Sequence, residues 1–311
     1  MIDVARAALP LWGLDGSQVE LAAARENQVY RVDCGAQSYA LRLHRPGYRN
    51  DDELRSELVW MAAVAKNGTK VPEPRLSKND LYLHEVGGFQ VSVLSWLNGS
   101  TFRQAVDTWP TDKLIPVYFS LGQEMAKFHT GLDRWQVPKD FTRWSWDREG
   151  LLGETPVWGR FWENPTLEAP DRELLYQFRI EADRELKSRE AGLDYGLIHA
   201  DLLSDNVMID GDVVQFIDFD DGGFGFRLFD LATTLVKLLG RADYDLLKGA
   251  LLDGYQSARA IDLSAFDLFV ALRCVTYVGW IADRLDEPGA LERNTNNIAA
   301  ARKLATAYLA I

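Results

Sequence analysis

The sequence predicts an α+β fold with two lobes: a β-rich N-terminal lobe that contains one helix, and a larger, mostly helical C-terminal lobe. Runs rich in β-branched and aromatic residues are concentrated before residue 95, whereas segments with helical periodicity dominate after Gly99. A chain of 311 residues is also long for one small core. We therefore predict lobes at residues 1–94 and 100–311, joined by a hinge at 95–99.

The strands of the first lobe follow from short runs of strand-forming residues. QVYRV (28–32) and SYALRLH (38–44) are separated by DCGAQ, a polar segment with a glycine, which predicts a hairpin. VELAAAR (19–25) precedes them as a third strand. LYLHEV (81–86) and FQVSVLSWL (89–97) flank a Gly-Gly turn and predict two more strands.

One amphipathic helix interrupts these strands. Apolar residues recur at helical spacing from Leu54 to Val64, with Asp51 and Asp52 before them and Gly68 after them. In the second lobe we predict helices over 110–132, over 169–192 and repeatedly from Phe226 onward. Between them, the loop HADLLSDN is followed by two short strand-like runs, NVMID and VVQFIDF.

Composition excludes several classes of function. A formal net charge of −12 argues against a broad basic surface for nucleic acid or anionic lipid. The two cysteines, Cys34 and Cys274, form no metal motif or disulfide framework. No secretory signal and no apolar run of about 18 residues is visible, so we expect a cytoplasmic protein without a membrane span.

The loop HADLLSDN has the spacing H-x-D-x-x-x-x-N, formed by His199, Asp201 and Asn206. Asp218 follows after the two strand-like runs, which could pair and bring it close to Asn206. Phosphoryl transfer requires a carboxylate beside the attacking hydroxyl and oxygen ligands for a magnesium ion. Asp201 suits the first role, and Asn206 and Asp218 suit the second. We expect His199 to brace the loop.

Phosphoryl transfer also requires a cation for the nucleotide phosphates. Arg42 lies in the middle of a predicted strand, and Glu57 in the following helix could pair with it. A basic residue on a strand paired with a helical Glu is the arrangement found in protein kinases.

These motifs resemble the aminoglycoside phosphotransferase and choline kinase superfamily, whose fold is similar to that of protein kinases. ENQVYRV, ALRLHRPGY, SELVWMAAV, VLSWLNG, LGQEMAKFH, IHADLLSDNVMID, FIDFDD and FDLATTL occur in the order of the family, over nearly the whole chain. RENQVYRV, FIDFDDGGFG and ALRCVTYVGWIADR look most like the branch of bacterial stress-response Ser/Thr kinases. Type II homoserine kinases and hydroxylysine kinases are the neighbours of that branch.

The resemblance implies a role for each matching residue. Asp201 resembles the catalytic base, and Asn206 and Asp218 resemble the magnesium ligands. Arg42 stands where a phosphate-binding Lys usually stands, and Glu57 stands where its partner does.

The resemblance also implies a nucleotide-binding role for the first lobe. Backbone groups of Ser95 and Leu97 would hold adenine at the hinge. Asn27 belongs to the turn formed by Glu26, Asn27 and Gln28, which would cover the phosphates. Asp230 resembles a buried carboxylate that braces the catalytic loop.

Three departures from the family pattern concern the geometry around the phosphates. Arg42 replaces Lys, and the wider guanidinium can still bind phosphate through two hydrogen bonds. Ala200 replaces the more usual Gly, which we expect to be a small change. No G-x-G-x-x-G motif is present in ARENQVYRV.

Several other residues allow more than one interpretation. Asp220 and Asp221 suit a solvated turn or a substrate contact better than a third metal ligand. Four tryptophans allow two interpretations: Trp144, Trp146, Trp158 and Trp162. They could form a lid or cage over a cationic substrate, or they could pack onto the helical lobe, which we favour. Four residues at helical spacing are also expected in the core rather than in a substrate site: Arg273, Tyr277, Trp280 and Asp283.

The sequence thus predicts an ATP- and Mg²⁺-dependent kinase that phosphorylates a hydroxyl group. A small amino alcohol or a hydroxy amino acid such as homoserine is the favoured acceptor, and a protein Ser or Thr is the alternative. A nucleotide-binding pseudokinase and a metal-dependent hydrolase are the rival classes. The hydrolase would need more ligands than the four scattered histidines provide. The oligomeric state stays open.

Overall fold

A computed structural model describes every residue except Arg25, Glu26 and Ile311. The described chain forms two compact units, each of which collects segments that are distant in sequence. The sheet unit comprises Met1–Arg103, Thr130–Arg143 and Asn206–Asp220. The helical unit comprises Gln104–His129, Trp144–Asp205 and the chain from Asp221 onward.

The sheet unit is built on a five-stranded antiparallel sheet. Its strands are β1 (Gln18–Ala24), β2 (Gln28–Cys34), β3 (Gln37–Leu43), β4 (Leu83–Val86) and β5 (Phe89–Ser95). Their order is β1-β2-β3-β5-β4. The predicted hairpin and the three further predicted strands are confirmed. Alternate apolar side chains of β2, β3 and β5 form the core of this unit together with Trp12.

Helix α1 (Ile2–Ala8) precedes this sheet and α2 (Asp51–Lys66) follows β3. The sequence prediction for α2 is confirmed. Its first turn has a capping box, because the Asn50 side chain accepts the Glu53 N–H at 2.9 Å and the Glu53 carboxylate accepts the Asn50 N–H at 3.0 Å. Leu54, Leu58 and the rest of its apolar face are buried.

A second, three-stranded sheet in the same unit contains β6 (Ser100–Thr101) and the two strands that follow the HADLLSDN loop. These two strands are β9 (Val207–Asp210) and β10 (Val213–Phe216), and the strand order is β10-β9-β6. Residues 207–210 and 213–216 pair as antiparallel strands, with Val207 opposite Phe216. The pairing that the sequence left conditional is therefore confirmed.

The helical unit and its boundaries contain the remaining elements. In chain order they are α3 (Phe102–Thr108), α4 (Thr111–Asp133), β7 (Ser145–Trp146), α5 (Arg148–Leu152), α6 (Ala169–Arg189), β8 (Tyr195–Ile198), β11 (Gly223–Phe226), α7 (Arg227–Val236), α8 (Tyr244–Ala258), α9 (Phe266–Trp280) and α10 (Ala290–Leu309). Strands β7, β11 and β8 form a small sheet in that order.

Helices α7 and α9 form the centre of the helical unit. Every residue of α7 is buried, and so is every residue of α9 from Phe266 to Gly279 except Asp267. The two helices pack against each other, and α10 packs on α9. Among the described residues, no helix is long and apolar enough to cross a membrane.

The sequence missed the short elements and one helix end. Helices such as α1, α3 and α5 have five to seven residues, too few to display a helical period. The prediction of repeated helices from Phe226 onward did not include the end of α9 at Trp280 or the 3₁₀ turn that follows it at Ala282–Arg284.

Two glycines allow helices α4 and α8 to approach backbone to backbone. A Cβ on Gly254 would lie 2.0 Å from the Phe119 carbonyl oxygen, and a Cβ on Gly122 would lie 2.1 Å from that of Leu251. Neither contact can be relieved by moving a flexible side chain. Both positions therefore exclude any larger residue.

We expect Gly254→Ala to lower the free energy of unfolding by about 2–3 kcal/mol, because the added methyl group must push two backbones apart. The matched control is Gly249→Ala on the same helix, where a Cβ meets nothing within 4 Å. That change should stabilise the protein by about 0.5–1 kcal/mol through helix propensity. Chemical denaturation of the two variants measures the difference, and equal stabilities would contradict the packing argument.

Candidate active site

In the sheet unit, Arg42 on β3 forms a buried ion pair with Glu57 on α2. Arg42 is 7% exposed and Glu57 is fully buried. The Arg42 Nη2 atom lies 2.8 Å from Glu57 Oε1, and Arg42 Nη1 lies 3.8 Å from Asp220 Oδ1. Burial opposes the charge of Arg42, but the carboxylates of Glu57, Asp220 and Asp218 outweigh it and raise the Arg42 pKa.

Glu57 lies between two guanidinium groups. Arg143 is the second, with its Nη1 atom 3.8 Å from Glu57 Oε2. Burial alone would raise the pKa of Glu57, but the charges of Arg42 and Arg143 lower it to about 2. Glu57 therefore remains anionic and fixes two cations inside the unit.

Arg143 also holds the segment that carries Asp218. Its Nη2 group donates to the backbone carbonyl oxygens of Phe219 and Asp220, at 2.9 and 2.7 Å. Asp218 itself adopts the left-handed backbone conformation, with φ at 67°. Such a conformation is uncommon outside glycine and needs support from its surroundings, which these hydrogen bonds provide.

The expectation of a solvated turn is wrong for Asp220. This residue is 8% exposed, because its carboxylate faces Arg42 and its Oδ2 atom accepts a hydrogen bond from the Asn27 side chain at 2.7 Å. The Asn27 side-chain oxygen also accepts the Arg45 backbone N–H at 3.1 Å. Asn27 thus fixes the start of β2 to the acidic segment. The neighbouring Glu26, which we assigned to the same turn, lies outside the described residues.

The hairpin of β9 and β10 brings Asn206 next to the Asp218 segment. The Asn206 carbonyl oxygen accepts the Ile217 N–H at 3.0 Å, at the open end of the hairpin. Asn206 is 9% exposed. Amide and carboxylate oxygens are the ligand types that a hard divalent cation prefers, so the donor set at 206 and 218 fits such an ion.

At the end of β5, the backbone of Ser95 is partly engaged. The Ser95 N–H donates to the Glu73 carbonyl oxygen at 2.8 Å, and the Ser95 hydroxyl oxygen accepts the Glu73 N–H at 2.8 Å. Leu97 follows in a segment without regular structure. The Ser95 N–H is therefore already used in a hydrogen bond within the protein.

In the helical unit, the buried carboxylate of Asp230 holds the start of the HADLLSDN loop. Its Oδ2 atom accepts the His199 N–H at 2.9 Å, and its Oδ1 atom accepts the Ala200 N–H at 2.6 Å. His129 Nε2 lies 3.0 Å from Oδ2. Burial opposes ionisation, but the hydrogen bonds from His129 and His199 lower the pKa of Asp230. Asp230 therefore carries a charge that several donors stabilise.

His129 is buried and uncharged at neutral pH. Burial, together with the charge of Arg227, lowers its pKa to about 4, against the opposing effect of Asp230. The neutral ring donates from Nε2 to Asp230 and accepts the Tyr255 hydroxyl at Nδ1, 2.8 Å away. His199 is also fully buried, and its Nδ1 atom lies 3.4 Å from the Asp201 backbone nitrogen. Its position agrees with the expected bracing role.

Ala200 is a larger departure from glycine than expected. Its φ is 64°, in the left-handed region, which costs a residue with a Cβ about 1–2 kcal/mol. The hydrogen bond from its N–H to Asp230 stabilises this conformation. After it, Leu202 is fully buried and Leu203 packs against the cluster around Val236, so both leucines anchor the loop.

Asp201 lies between the buried residues Ala200 and Leu202 and forms an ion pair with Arg273 on α9. Arg273 Nη2 lies 2.7 Å from Asp201 Oδ1, and the two side chains are 0% and 20% exposed. The expected core location is confirmed for Arg273 and Tyr277, which are 0% and 8% exposed. It is wrong for Asp283, which is exposed, and Trp280 is only half-buried. The pairing with Asp201 was not foreseen.

The tryptophan-rich segments mostly pack, as we favoured. Trp146 is fully buried and stacks on Phe229, and Trp162 is 4% exposed. Trp158 does face a cation, but that cation is the protein's own Arg273, with 4.4 Å between the guanidinium carbon and the ring centre. The ring face of Trp158 is therefore in contact with a cation of the protein itself.

Comparisons with known proteins identify the family of this chain. The model of the phosphotransferase enzyme family (APH) matches residues 17–269. The chain belongs to this family. It is therefore a phosphotransferase, an enzyme that phosphorylates a hydroxyl group, in a superfamily of small-molecule kinases. Use of ATP with a divalent metal ion is typical of such enzymes.

Individual relatives include kinases with different named substrates. A homoserine kinase from Chelativorans sp. (strain BNC1) is 28% identical over 295 residues, which cover 91% of this chain and 86% of the relative. The solved structure of the microcompartment-associated aminopropanol kinase is 27% identical, with a TM-score of 0.84 and coverage of 100% of this chain and 98% of that chain. These matches confirm the expected kinase-like α+β fold.

A third similarity shows the fold alone. Amicoumacin kinase in complex with AMP-PNP, Ca²⁺ and Ami is 20% identical, with a TM-score of 0.79 over 97% of this chain and 93% of that chain. That complex contains a nucleotide analogue and a divalent cation.

The sequence did not reveal the partners of three buried residues: Arg143, His129 and Arg273. Each contacts its partner across a long stretch of chain, with 86 residues separating Arg143 from Glu57 and 72 separating Arg273 from Asp201. No short motif contains such a pair. The only available signal was a charged residue inside an apolar helical run, which α9 shows at Arg273.

The buried histidines give the phosphotransferase a defined pH dependence of stability. Burial and the charge of Arg42 lower the pKa of His44 to about 3, and the pKa of His129 is about 4. Unfolding exposes both rings, whose ordinary pKa is near 6.5. Below that pH the unfolded chain binds protons that the folded chain does not, so acid favours unfolding.

We expect the free energy of unfolding to fall between pH 7 and pH 5 by about 2 kcal/mol for each histidine, and to change little between pH 7 and pH 8. Urea denaturation at each pH measures this slope. The double variant His44→Gln/His129→Gln should have a flatter slope over the same range. An unchanged slope in that variant would refute the assignment to these two rings.

Proposed function

We propose that this phosphotransferase transfers the γ-phosphoryl group of ATP, with Mg²⁺, to the hydroxyl of a small amino alcohol or hydroxy amino acid similar to homoserine. The observation that carries this proposal is the pair of kinases named above at 28% and 27% identity over nearly the whole chain. Homoserine and aminopropanol share an amine and a hydroxyl a few bonds apart. An acceptor of that class is the simplest common substrate type.

Asp201 is proposed as the catalytic base. Its partly exposed carboxylate would orient the acceptor hydroxyl and accept its proton as the oxygen attacks the γ-phosphorus, while the bond to the ADP oxygen breaks. The buried anchors on both sides of Asp201 support this role, because they limit movement of the loop. Catalysis of this type depends mainly on positioning and charge stabilisation.

Asn206 and Asp218 are proposed to hold the metal ion, and Arg42 to neutralise the nucleotide phosphates. A bound Mg²⁺ would supply charge neutralisation on the phosphate oxygens. Glu57 would keep the Arg42 guanidinium in one orientation. The all-oxygen donor set and the raised pKa of Arg42 support these assignments.

Residues 1–94 are proposed as the nucleotide-binding lobe, with residues 95–99 as the hinge and 100–311 as the catalytic and substrate-binding lobe. Because the Ser95 N–H is already bonded to Glu73, the Ser95 carbonyl and the Leu97 N–H are the backbone groups proposed for adenine. Asn27 would hold the start of β2 beside the phosphates through its hydrogen bond to Asp220.

Rival functions lack comparable support. A metal-dependent hydrolase would need a cluster of ligands, and the described residues contain no group of three or more His, Cys, Asp or Glu that could hold a metal ion. A pseudokinase would be expected to lack a metal ligand, and both proposed ligands, Asn206 and Asp218, are present. A protein Ser or Thr acceptor is the alternative that experiment must separate from a small molecule.

A coupled ADP-release assay should show turnover with L-homoserine or 1-amino-2-propanol well above that with a Ser/Thr-containing protein such as casein. 3-Aminopropan-1-ol is homoserine without its carboxylate, and 4-hydroxybutanoate is homoserine without its amine. Retained activity with the first would identify an amino-alcohol kinase, and loss with the second would show that the amine is required. Exclusive activity on casein would overturn the small-molecule proposal.

Two substitutions test the proposed roles. Asp201→Asn should lower kcat by about 10²–10⁴ while nucleotide affinity is largely kept, because the base is lost and the fold is not. Asp218→Asn should weaken Mg²⁺-dependent binding of ATP at least tenfold, as measured by calorimetry. Asp205→Asn on the same loop and Asp212→Asn in the same hairpin are the matched controls. Full turnover of Asp201→Asn would remove it from the mechanism.

A further inference from the structure

Arg273 is a buried cation whose location is unusual for its charge. It lies in the middle of α9, a helix whose other residues are almost all apolar, and it is 0% exposed. A guanidinium does not lose its proton in a protein, so Arg273 cannot escape burial by becoming neutral. A buried charge of this kind needs a partner of opposite sign.

Aromatic rings surround the guanidinium. Its central carbon lies 4.4 Å from the ring centres of Trp158 and Tyr277, and 5.5 Å from that of Phe229. The Nη2 group also donates to the Tyr277 hydroxyl at 3.1 Å. Burial raises the pKa of Tyr277, so its hydroxyl remains protonated and supplies no negative charge.

The carboxylate paired with Arg273 in this setting is that of Asp201. Arg273 Nη2 lies 2.7 Å from Asp201 Oδ1, and the Arg273 Nε atom has no hydrogen-bond partner within the described chain. The rings and α9 therefore direct the cation toward one carboxylate oxygen. The cation is fully covered, whereas its partner is 20% exposed.

We propose that Arg273 is a positioning residue for phosphoryl transfer: it anchors Oδ1 of Asp201 and directs the other carboxylate oxygen, Oδ2, toward the acceptor hydroxyl. This inference rests on the proposed role of Asp201. A carboxylate bonded through one oxygen to a fixed guanidinium loses rotational freedom about its Cβ–Cγ bond.

A purely structural role makes a different prediction. If Asp201 serves only as the counter-ion of a buried Arg273, loss of the pair should lower stability and leave the kinetic constants of the folded enzyme near those of the wild type. If Arg273 positions the base, its loss should lower kcat in enzyme that is still folded, with nucleotide binding kept. The conservative variant should then restore part of kcat.

The test compares Arg273→Met, Arg273→Lys and Leu272→Ala in the full chain. Met fills the aromatic pocket without a charge, and Lys keeps a charge without the planar geometry. Leu272→Ala, a fully buried neighbour on α9, is the control for lost packing in the same helix. Turnover is followed with L-homoserine or 1-amino-2-propanol, whichever reacts faster, and folding is checked by the unfolding midpoint.

We expect kcat to fall about 100-fold in Arg273→Met and about tenfold in Arg273→Lys, with KM for ATP within about twofold of the wild type. Leu272→Ala should lose stability and keep its kcat. If Arg273→Met does not fold, Arg273→Lys decides alone, and an unchanged kcat in that variant would overturn the inference.

The Asp201→Asn variant separates this inference from the proposed function. An active Asp201→Asn enzyme would remove both. An inactive Asp201→Asn enzyme beside a fully active, folded Arg273→Met enzyme would leave Asp201 as the base and remove Arg273 from the mechanism.

Discussion

The position of the HADLLSDN loop depends on one buried carboxylate, Asp230. It accepts two consecutive backbone N–H groups, those of His199 and Ala200, together with the His129 ring. Charge-assisted hydrogen bonds of this kind contribute about 1.5–3 kcal/mol each, more than the cost of the left-handed Ala200 backbone. Since α7 carries Asp230 and is buried along its whole length, the loop inherits the rigidity of the helical core.

The sheet unit contains an equivalent arrangement around Glu57. A fully buried carboxylate holds two guanidinium groups there, one on β3 and one, Arg143, that binds the backbone around Asp220. Buried ion pairs of this kind contribute little net stability, because desolvation offsets much of their attraction. Their value is geometric: they fix where a cation and an acidic segment lie, and catalysis by positioning requires both.

Much of the fold and of the motif set could be predicted because the relevant signals are local. The β2–β3 hairpin, the α2 helix and its cap are encoded within about 20 residues each, and the spacing from Asp201 to Asn206 is a single short motif. Short elements such as α5 escaped prediction because five residues carry no measurable period. The burial of Asp220 escaped it because Arg42 and Asn27 come from distant segments.

The partner of Arg273 also escaped prediction, because it is distant in the sequence. From the sequence, an arginine among the apolar residues of α9 was expected in the core rather than in a substrate site, and its burial confirms the core location. What the sequence cannot supply is the identity of the counter-ion, because any of 46 acidic residues might fold onto the helix. The fold selects Asp201, the one acidic residue that the loop motif had already identified on independent grounds. Asp201 is therefore both the acidic residue of the H-x-D-x-x-x-x-N motif and the counter-ion of a buried cation.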